Sequence, residues 1–584
     1  MKIVSFSVNN FRGISGGLEK NRIVFKDANT IFLFGQNNVG KSTFLNAYEF
    51  YYKETKPALD DFYKKDSSNK IEFELEVELD QHDFDRIQEV APTKVNSFKL
   101  FLDDGSILKV RREYSATQSG KTIKIDEGKN TTWHPTDQKW DESNYGTIGL
   151  SSVFQSCLPL PIFIKAMPTE AEVESIVNEI LAEKAKRALE NKEQEELKAA
   201  KDKIKTLQEK MYDPVSIEKY KEEVNKHFQK LFPETKIEFE DQDKVKWTED
   251  KFGKKFNIHF NKLDENGDKD DNIPSSYQKV GHGAVRTAIF ALLLMRDIAD
   301  DFVRQDGRKD YLVLFEEPEL FLHPKLMREL RSLIYKVSED EFPYQVLCAS
   351  HSPQMIDISK PKSSLVRMVR DANGTELFQI SDQYLQNAVG KLTKEELKQE
   401  MYEILRFNPF ICESFYSDEV ILVEGPTEEI ILRGYFSEKP PEKDVFVVNC
   451  GTVTNIPFYQ KIFSKFLIKY HVICDTDASE EKGIDIFGNP IFDSGIQKSI
   501  YDQIKLDSEK KVPNVGILRV HKITFEPAHQ TTDIPEFLRF GKSSGEGKPF
   551  DANLYWKNTL RNNLETDDIN KVPIIKHIKE ILKK

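Results

Sequence analysis

TIFLFGQNNVGKSTFLN, residues 30–46, decides how the first part of this chain folds. Ile31 to Phe34 are apolar and aromatic, the composition of a buried strand. Gly35 to Ser42 match G-x-x-x-x-G-K-[ST] in full, and Thr43 to Phe50 read as the start of a helix. Strand, glycine loop and helix thus follow in the order that a phosphate-binding loop needs. Gly35 and Gly40 let the backbone turn its N–H groups toward phosphate. The helix N-terminus adds positive potential. Lys41 is expected to reach the β- and γ-phosphates of the nucleotide, and Ser42 to bind Mg²⁺. Asn37, Asn38 and Thr43 belong to the same set of nucleotide contacts. By itself the loop says only that a nucleotide binds.

Composition bounds the rest. The chain has 584 residues, enough for several domains, and is 39% hydrophobic and 31% charged, as soluble globular domains are. A net charge of −13 argues against a protein that coats polyanions. It leaves room for DNA in a locally basic groove, because metal-holding acids lower the total. The five cysteines (157, 348, 412, 450 and 474) include no C-x-x-C pair, which disfavours zinc and disulfides and fits a reducing compartment. The N-terminus has no apolar signal core, and no run reaches the ~18 apolar residues of a membrane span. A cytoplasmic location without membrane contact is the expectation.

Along the chain, KIVSFSV, RIVF and TIFLF read as short strands around NFRG (residues 10–13). IEFELEVEL (71–79) alternates apolar with acidic residues, a half-buried strand. FKLFL (98–102), 107–110 and 122–125 read as further strands, and 128–150 as a polar loop. From Glu170 to Met211 proline and glycine vanish and charge dominates, with apolar residues at helical spacing. Asp213-Pro214 then reads as an N-cap and first helical residue. This is an inserted helical hairpin, either packed on its own chain or acting as a dimerisation arm. Strands resume at 236–240 and 256–260. Thr393 and Glu396 make a capping box for a charged helix to about Arg406. The expected divisions are 1–168 and 235–392 for an ATPase domain, 169–234 for the insertion, and 393–584 for a linker helix and second domain. No internal repeat is visible.

YLVLF (311–315) is a buried strand ending in EEPE, and YQVLCA (344–349) another ending in SHSP. A phosphate-binding loop needs such a carboxylate beside it. Glu316 would act through the Mg²⁺ shell and Glu317 would orient or deprotonate the attacking water. His351, a structural histidine or a sensor of the γ-phosphate, follows the next strand. NFRG, GQNNVGKS, VGHGAVR (280–286), LFEEPELFLHP and SHSP, in that order, resemble the ABC-type ATPase heads of the RecF/SMC group. The resemblance implies that Arg12 contacts nucleotide and that Gly281 and Gly283 lie in a signature loop serving a second, facing head. It also makes Leu320–His323 a D-loop and Gln155 the candidate Q-loop glutamine. Here the signature departs from LSGGQ, and Glu316 stands where an aspartate is usual.

The second part shows VILVEGPTEE (420–429), VVNCG (447–451) and VICDTDAS (472–479). Strands alternating with helices imply a parallel sheet with acids at strand ends. Such carboxylates can hold one or two Mg²⁺ or Mn²⁺ ions, and paired ions activate water for phosphodiester cleavage. The pattern resembles a Toprim domain. An ABC head with a helical insertion followed by Toprim is similar to the OLD (overcoming lysogenization defect) family of nucleases, whose members include Gabija-type and retron-associated defence effectors. The resemblance implies an α/β protein with Glu424, Asp475 and Asp477 as catalytic metal ligands and Glu428 as a further ligand. Glu526, with Glu536 as a neighbour, supplies the late acid, and Lys548 in GKP is either a solvated lysine or a stabiliser of phosphate charge. It further implies an ATPase and a metal-dependent DNA endonuclease working as a homodimer or higher oligomer. Its defence partner would be a reverse transcriptase with its RNA/DNA product, or a helicase. The rival expectation is a RecF/SMC-like repair or chromosome ATPase that does not cut.

Overall fold

The computed structural model describes residues 1–141 (except 26, 27, 91, 104, 120, 121 and 127), 154–166 (except 156), 235–241 and 256–262. It further describes 311–339, 344–357, 364–379 (except 373), 409–477, 481–484, 490–492, 495–509 and 514–583, with scattered positions between 218 and 290. The helical insertion, the signature-like loop and the helix from Thr393 lie outside the described residues, apart from such scattered positions. The chain forms two compact units. One holds Met1–Leu33, Asn37–Met355 and Ser363–Leu377; the other holds Phe34–Gln36, Ile356–Lys362 and Phe378–Lys584.

In the first unit, β1 (Lys2–Asn9), β2 (Arg22–Val24) and β3 (Thr30–Phe34) lead into α1 (Lys41–Tyr52). β4 (Ile71–Glu78) joins β1 and β2 in an antiparallel sheet. Its alternation sorts its faces: Ile71, Phe73, Leu75 and Val77 are buried, while Glu74 meets Lys109 at 2.6 Å and Arg111 at 2.7 Å. Phe6 anchors this core, packing edge-on against Phe44, Tyr48 and Tyr51 and stacked over Phe73. Each such buried aromatic contributes about 2–3 kcal/mol.

Two expectations need correction. FKLFL is not a strand: α2 (Gln81–Val90) is followed by α3 (Val95–Leu100). A strand would have put Lys99 on the same face as the buried Phe101. The polar stretch 128–150 is not all loop either. After β5 (Ile107–Tyr114) and the small hairpin of β6 (Ala116–Ser119) and β7 (Thr122–Ile125), β8 (Lys129–His134) and β9 (Lys139–Asp141) extend the sheet. A cross-strand pair, Trp133 against Trp140 at 5.4 Å, holds that hairpin, and the Arg111 guanidinium lies 4.2 Å over Trp140.

The second sheet of this unit comprises β3, β10 (Leu160–Ile164), β13 (Tyr311–Glu316), β14 (Tyr344–Ala349), β15 (Leu365–Asp371) and β16 (Gly374–Gln379). β11 (Thr235–Asp241) and β12 (Phe256–Lys262) pair separately and antiparallel, matching the strands expected there. The order β10-β13-β14-β3-β15-β16 puts β14 between β3 and β13, all parallel. The glycine loop, the EEPE turn and the SHSP turn therefore leave the same edge of one sheet. α4 (Pro324–Glu339) follows the EEPE turn.

The second unit is built on a parallel sheet of order β18-β17-β19-β22. β17 (Glu419–Val423), α5 (Pro426–Glu438), β18 (Val445–Asn449), α6 (Ile456–Lys465) and β19 (Lys469–Asp475) alternate as expected. β20 (Glu481–Ile484) and β21 (Pro490–Phe492) form a side hairpin, and α7 (Gly495–Ser508) returns to β22 (Val515–His521). α8 (Lys548–Tyr555) and α9 (Pro573–Leu582) pack on the apolar core of this unit.

One lock fixes the first residues of β22 against β19. Buried His471 on β19 accepts a hydrogen bond from Ile517 N at Nδ1 (2.9 Å), which leaves its Nε2–H to donate to Glu419 (2.9 Å). Gly516 allows this: a Cβ there would lie 2.3 Å from His471 Nδ1. The imidazole is enclosed and cannot yield. Gly516→Ala is therefore expected to destabilise the unit by about 3 kcal/mol, read as a fall in the urea midpoint at unchanged slope.

Candidate functional site

The head site begins at Gly40, whose φ of 109° only glycine adopts readily and which caps α1. Lys41, the first residue of that helix, is 4% exposed. Burial pulls its ammonium down to about 8, against the opposing pull of Glu317 and Glu319. Glu317 sits at φ 44°, a strained backbone held by its N–H donating to the Ala349 carbonyl (2.7 Å) at the end of β14. That bond aims its carboxylate toward His351, whose Nε2 lies 3.8 Å from Glu317 Oε1. Burial, and then the nearby Lys41, lower the basicity of His351, so the ring is neutral near pH 7. Glu319 accepts the His351 backbone N–H at 2.6 Å. Its role was missed at the sequence level, though it lies within EEPE: the contact tying the two turns together runs from a side chain to a backbone 32 positions away.

Other expected head residues fall less uniformly. Asn37 and Asn38 are exposed on the loop, Asn38 at φ 62°, and Ser42 and Thr43 are half-buried at the start of α1. Glu316 ends β13 with its carboxylate 3.4 Å from the Ala166 N–H. Arg12, also at positive φ, pairs with Asp61 at 2.9 Å. Gln155 is a correction. Its amide donates to the Tyr52 carbonyl, at the C-terminal end of α1. Twelve residues of helix place that point roughly 18 Å from the phosphate end. Gly281 and Gly283 lie outside the described residues.

In the second unit the parallel strands deliver their acids to one edge. Glu424 follows β17 directly and accepts the Asp475 N–H at 3.2 Å. Glu428, in the first turn of α5, is 3% exposed, and Asp475, the last residue of β19, is 8% exposed. Burial first, then the charge of Asp475 and, at Glu424, of Asp477, push Glu424 up to about 7 and Glu428 up to about 8. Burial and the acids Glu526 and Asp477 push Asp475 up to about 7. Asp477 itself is exposed at φ 47°, its N–H bonded to the Ile523 carbonyl. Glu526 opens a short helical turn and pairs with Lys548 at 3.1 Å, while Thr524 donates to it at 3.0 Å. Lys548 is therefore engaged with the cluster although its side chain is 67% exposed. Glu536 is exposed on a separate turn.

The sequence reading missed His521. It ends β22, is 1% exposed, and sets Nδ1 3.3 Å from Asp475 Oδ1 and 3.7 Å from Glu428 Oε1. Ligand atoms of Glu428, Asp475 and His521 all lie within 4.8 Å of one another. Buried carboxylates crowded at raised pKa, with a neutral imidazole among them, suit a divalent cation, whose charge would displace the protons these acids otherwise hold.

The family model for the AAA ATPase domain matches residues 1–356, and that for the overcoming lysogenization defect protein-like TOPRIM domain matches 415–477. The chain belongs to the AAA ATPase domain family and carries an OLD-like TOPRIM domain. The Old nuclease of Escherichia phage P2 is 23% identical over 499 residues, covering 82% of this chain and 77% of its own length. Endonuclease GajA of Bacillus cereus is 21% identical over 501 residues, covering 83% and 76%. The OLD nuclease of Thermus scotoductus is 25% identical over 186 residues, 30% and 32% of the two chains. Among solved structures, an SMC head bound to the C-winged helix domain of ScpA covers 66% of this chain and all of its own at 12% identity, with a TM-score of 0.38.

Metal-free, this acid cluster of the TOPRIM domain works against stability. A carboxyl that titrates at 4.5 when unfolded and near 8 when folded keeps its proton in the native state across that window. The native state then binds more protons, so stability falls as pH rises from about 4.5 to 8. Glu428→Gln removes this penalty. In chelator at pH 8.5 the variant should be more stable than the parent by on the order of 2 kcal/mol, and at pH 4.5 the gain should vanish. Urea melts at the two pH values check this.

Proposed function

We propose that the protein is an ATP-regulated, metal-dependent DNA endonuclease acting in antiphage defence. The observation that carries this reading is the convergence of half-buried Glu424 with buried Glu428 and Asp475 at one edge of a parallel sheet, all at raised pKa, in a domain of the OLD-like TOPRIM family. Bound divalent cations supply an activated water and stabilise the leaving oxygen of a phosphodiester. Glu424, Glu428, Asp475 and Asp477 hold the ions; Glu526 positions Lys548, whose ammonium faces the developing phosphate charge.

In the head, Lys41 and the amides of Gly35–Ser42 bind the phosphates of ATP. Ser42 and Glu316 serve its Mg²⁺, and Glu317 orients the attacking water. Glu319 fixes the His351 turn, and His351 responds to the γ-phosphate. Two heads close on ATP, with Gly281 and Gly283 of one completing the site of the other, and the insertion at 169–234 serves as the dimerisation arm. Relatives named as nucleases support the assignment.

The test is cleavage of supercoiled plasmid with Mg²⁺ or Mn²⁺, with and without ATP, comparing the parent, Asp475→Asn and Glu317→Gln. Cleavage that needs Asp475 and changes with ATP supports the proposal. Cleavage equal in parent and Asp475→Asn, or an ATPase with no cleavage under any of these conditions, favours a chromosome-type ATPase instead.

A further inference from the structure

His521 has no counterpart in the all-oxygen ligand set expected from the sequence. It arrives from β22, the strand whose position Gly516 and His471 fix. Its Nδ1 points at two carboxylate oxygens from other elements, one on α5 and one on β19. Its Nε2 has no hydrogen-bond partner among the described residues. The ring of His577, on α9, is buried with its centroid 5.4 Å away. A buried polar ring that leaves one nitrogen idle costs free energy, and hydrogen bonding alone does not account for this placement.

We propose that His521 Nδ1, Glu428 and Asp475 form a mixed nitrogen–oxygen position that favours Mn²⁺ and later first-row divalent ions over Mg²⁺. The inference rests on the reading of this unit as a metal site. Neighbouring ligands of a six-coordinate ion at about 2.2 Å lie roughly 3 Å apart. The separations of 3.3 and 3.7 Å around Nδ1 close on an ion with small movements. Imidazole is a poor ligand for Mg²⁺ and a good one for transition ions, so a nitrogen in the set creates a preference that carboxylates alone lack. Coordination through Nδ1 leaves the ring proton on Nε2.

The test is Mn²⁺ binding by the nucleotide-free full-length chain, followed by electron paramagnetic resonance with Mg²⁺ as competitor. Pulsed measurements on bound Mn²⁺ should show ¹⁴N coupling from an imidazole. His351→Gln, which alters a head histidine, should keep that coupling, and His521→Gln should lose it. His521→Gln should also weaken Mn²⁺ about tenfold while leaving Mg²⁺ affinity within about twofold. Bound Mn²⁺ without ¹⁴N coupling in the parent overturns the inference whatever the variant does, so a variant that fails to fold leaves the test intact. Coupling that survives in His521→Gln, or equal losses of both ions, overturns it too. Cleavage without coupling would sink this inference alone, and coupling without cleavage would sink the nuclease reading alone.

Discussion

Asp475→Asn is expected to cut plasmid about a thousandfold more slowly than the parent while its ATP hydrolysis stays within about twofold. Asp475 is the hinge of the acid cluster. Its backbone N–H is bonded to Glu424, its Oδ1 lies 3.3 Å from His521, and its charge helps raise both Glu424 and Glu428. An amide fills the same space but brings no charge, so the site loses the electrostatic hold on any divalent ion. The change should lower the pKa of Glu428, because the like charge beside it is gone. Chelator-treated Asp475→Asn should therefore be no less stable than the parent at pH 8. Full cleavage by the variant would remove Asp475 from the chemistry.

Glu317→Gln is expected to reduce ATP turnover by about 10²- to 10⁴-fold, the range lost with a general base, while ATP still binds. Its backbone is fixed at φ 44° by the bond to Ala349, which is independent of the side chain, so the glutamine should keep the same position. The variant should therefore accumulate the ATP-bound state, and if two heads close on ATP it should run as the larger species in sedimentation when ATP is present. Glutamine also takes away a carboxylate that opposes the lowering of Lys41, so the lysine should titrate lower still. ATP binding by the variant should then weaken at a lower pH than by the parent, whose lysine titrates at about 8. Turnover by Glu317→Gln at the parent's rate would assign the water to another group.

Local grammar carried much of this. Residues 30–46 show strand, loop and helix in a row, and β3 and α1 lie where that order puts them. The alternation of β4 named its own buried face, and the acids of VILVEGPTEE and VICDTDAS were visible because each ends its own apolar strand. FKLFL misled because five residues cannot distinguish periods of 2 and 3.6 when both ends are apolar. The hairpin of β8 and β9 was hidden in polar sequence because its stabilising pair, Trp133 and Trp140, lies seven positions apart and meets only across a turn.

The sequence by itself determined which residue sets the chain carries: a G-x-x-x-x-G-K-S loop with strand-end acids, and carboxylates at the ends of the second unit's strands. Only the tertiary structure decided which side chains share each site. His521 and Asp475 are 46 positions apart and meet because parallel strands β19 and β22 end side by side. Glu319 meets the His351 turn because β13 and β14 do the same. Parallel pairing aligns strand ends that a crossover keeps far apart in sequence, and burial at that shared edge then sets the protonation of the acids.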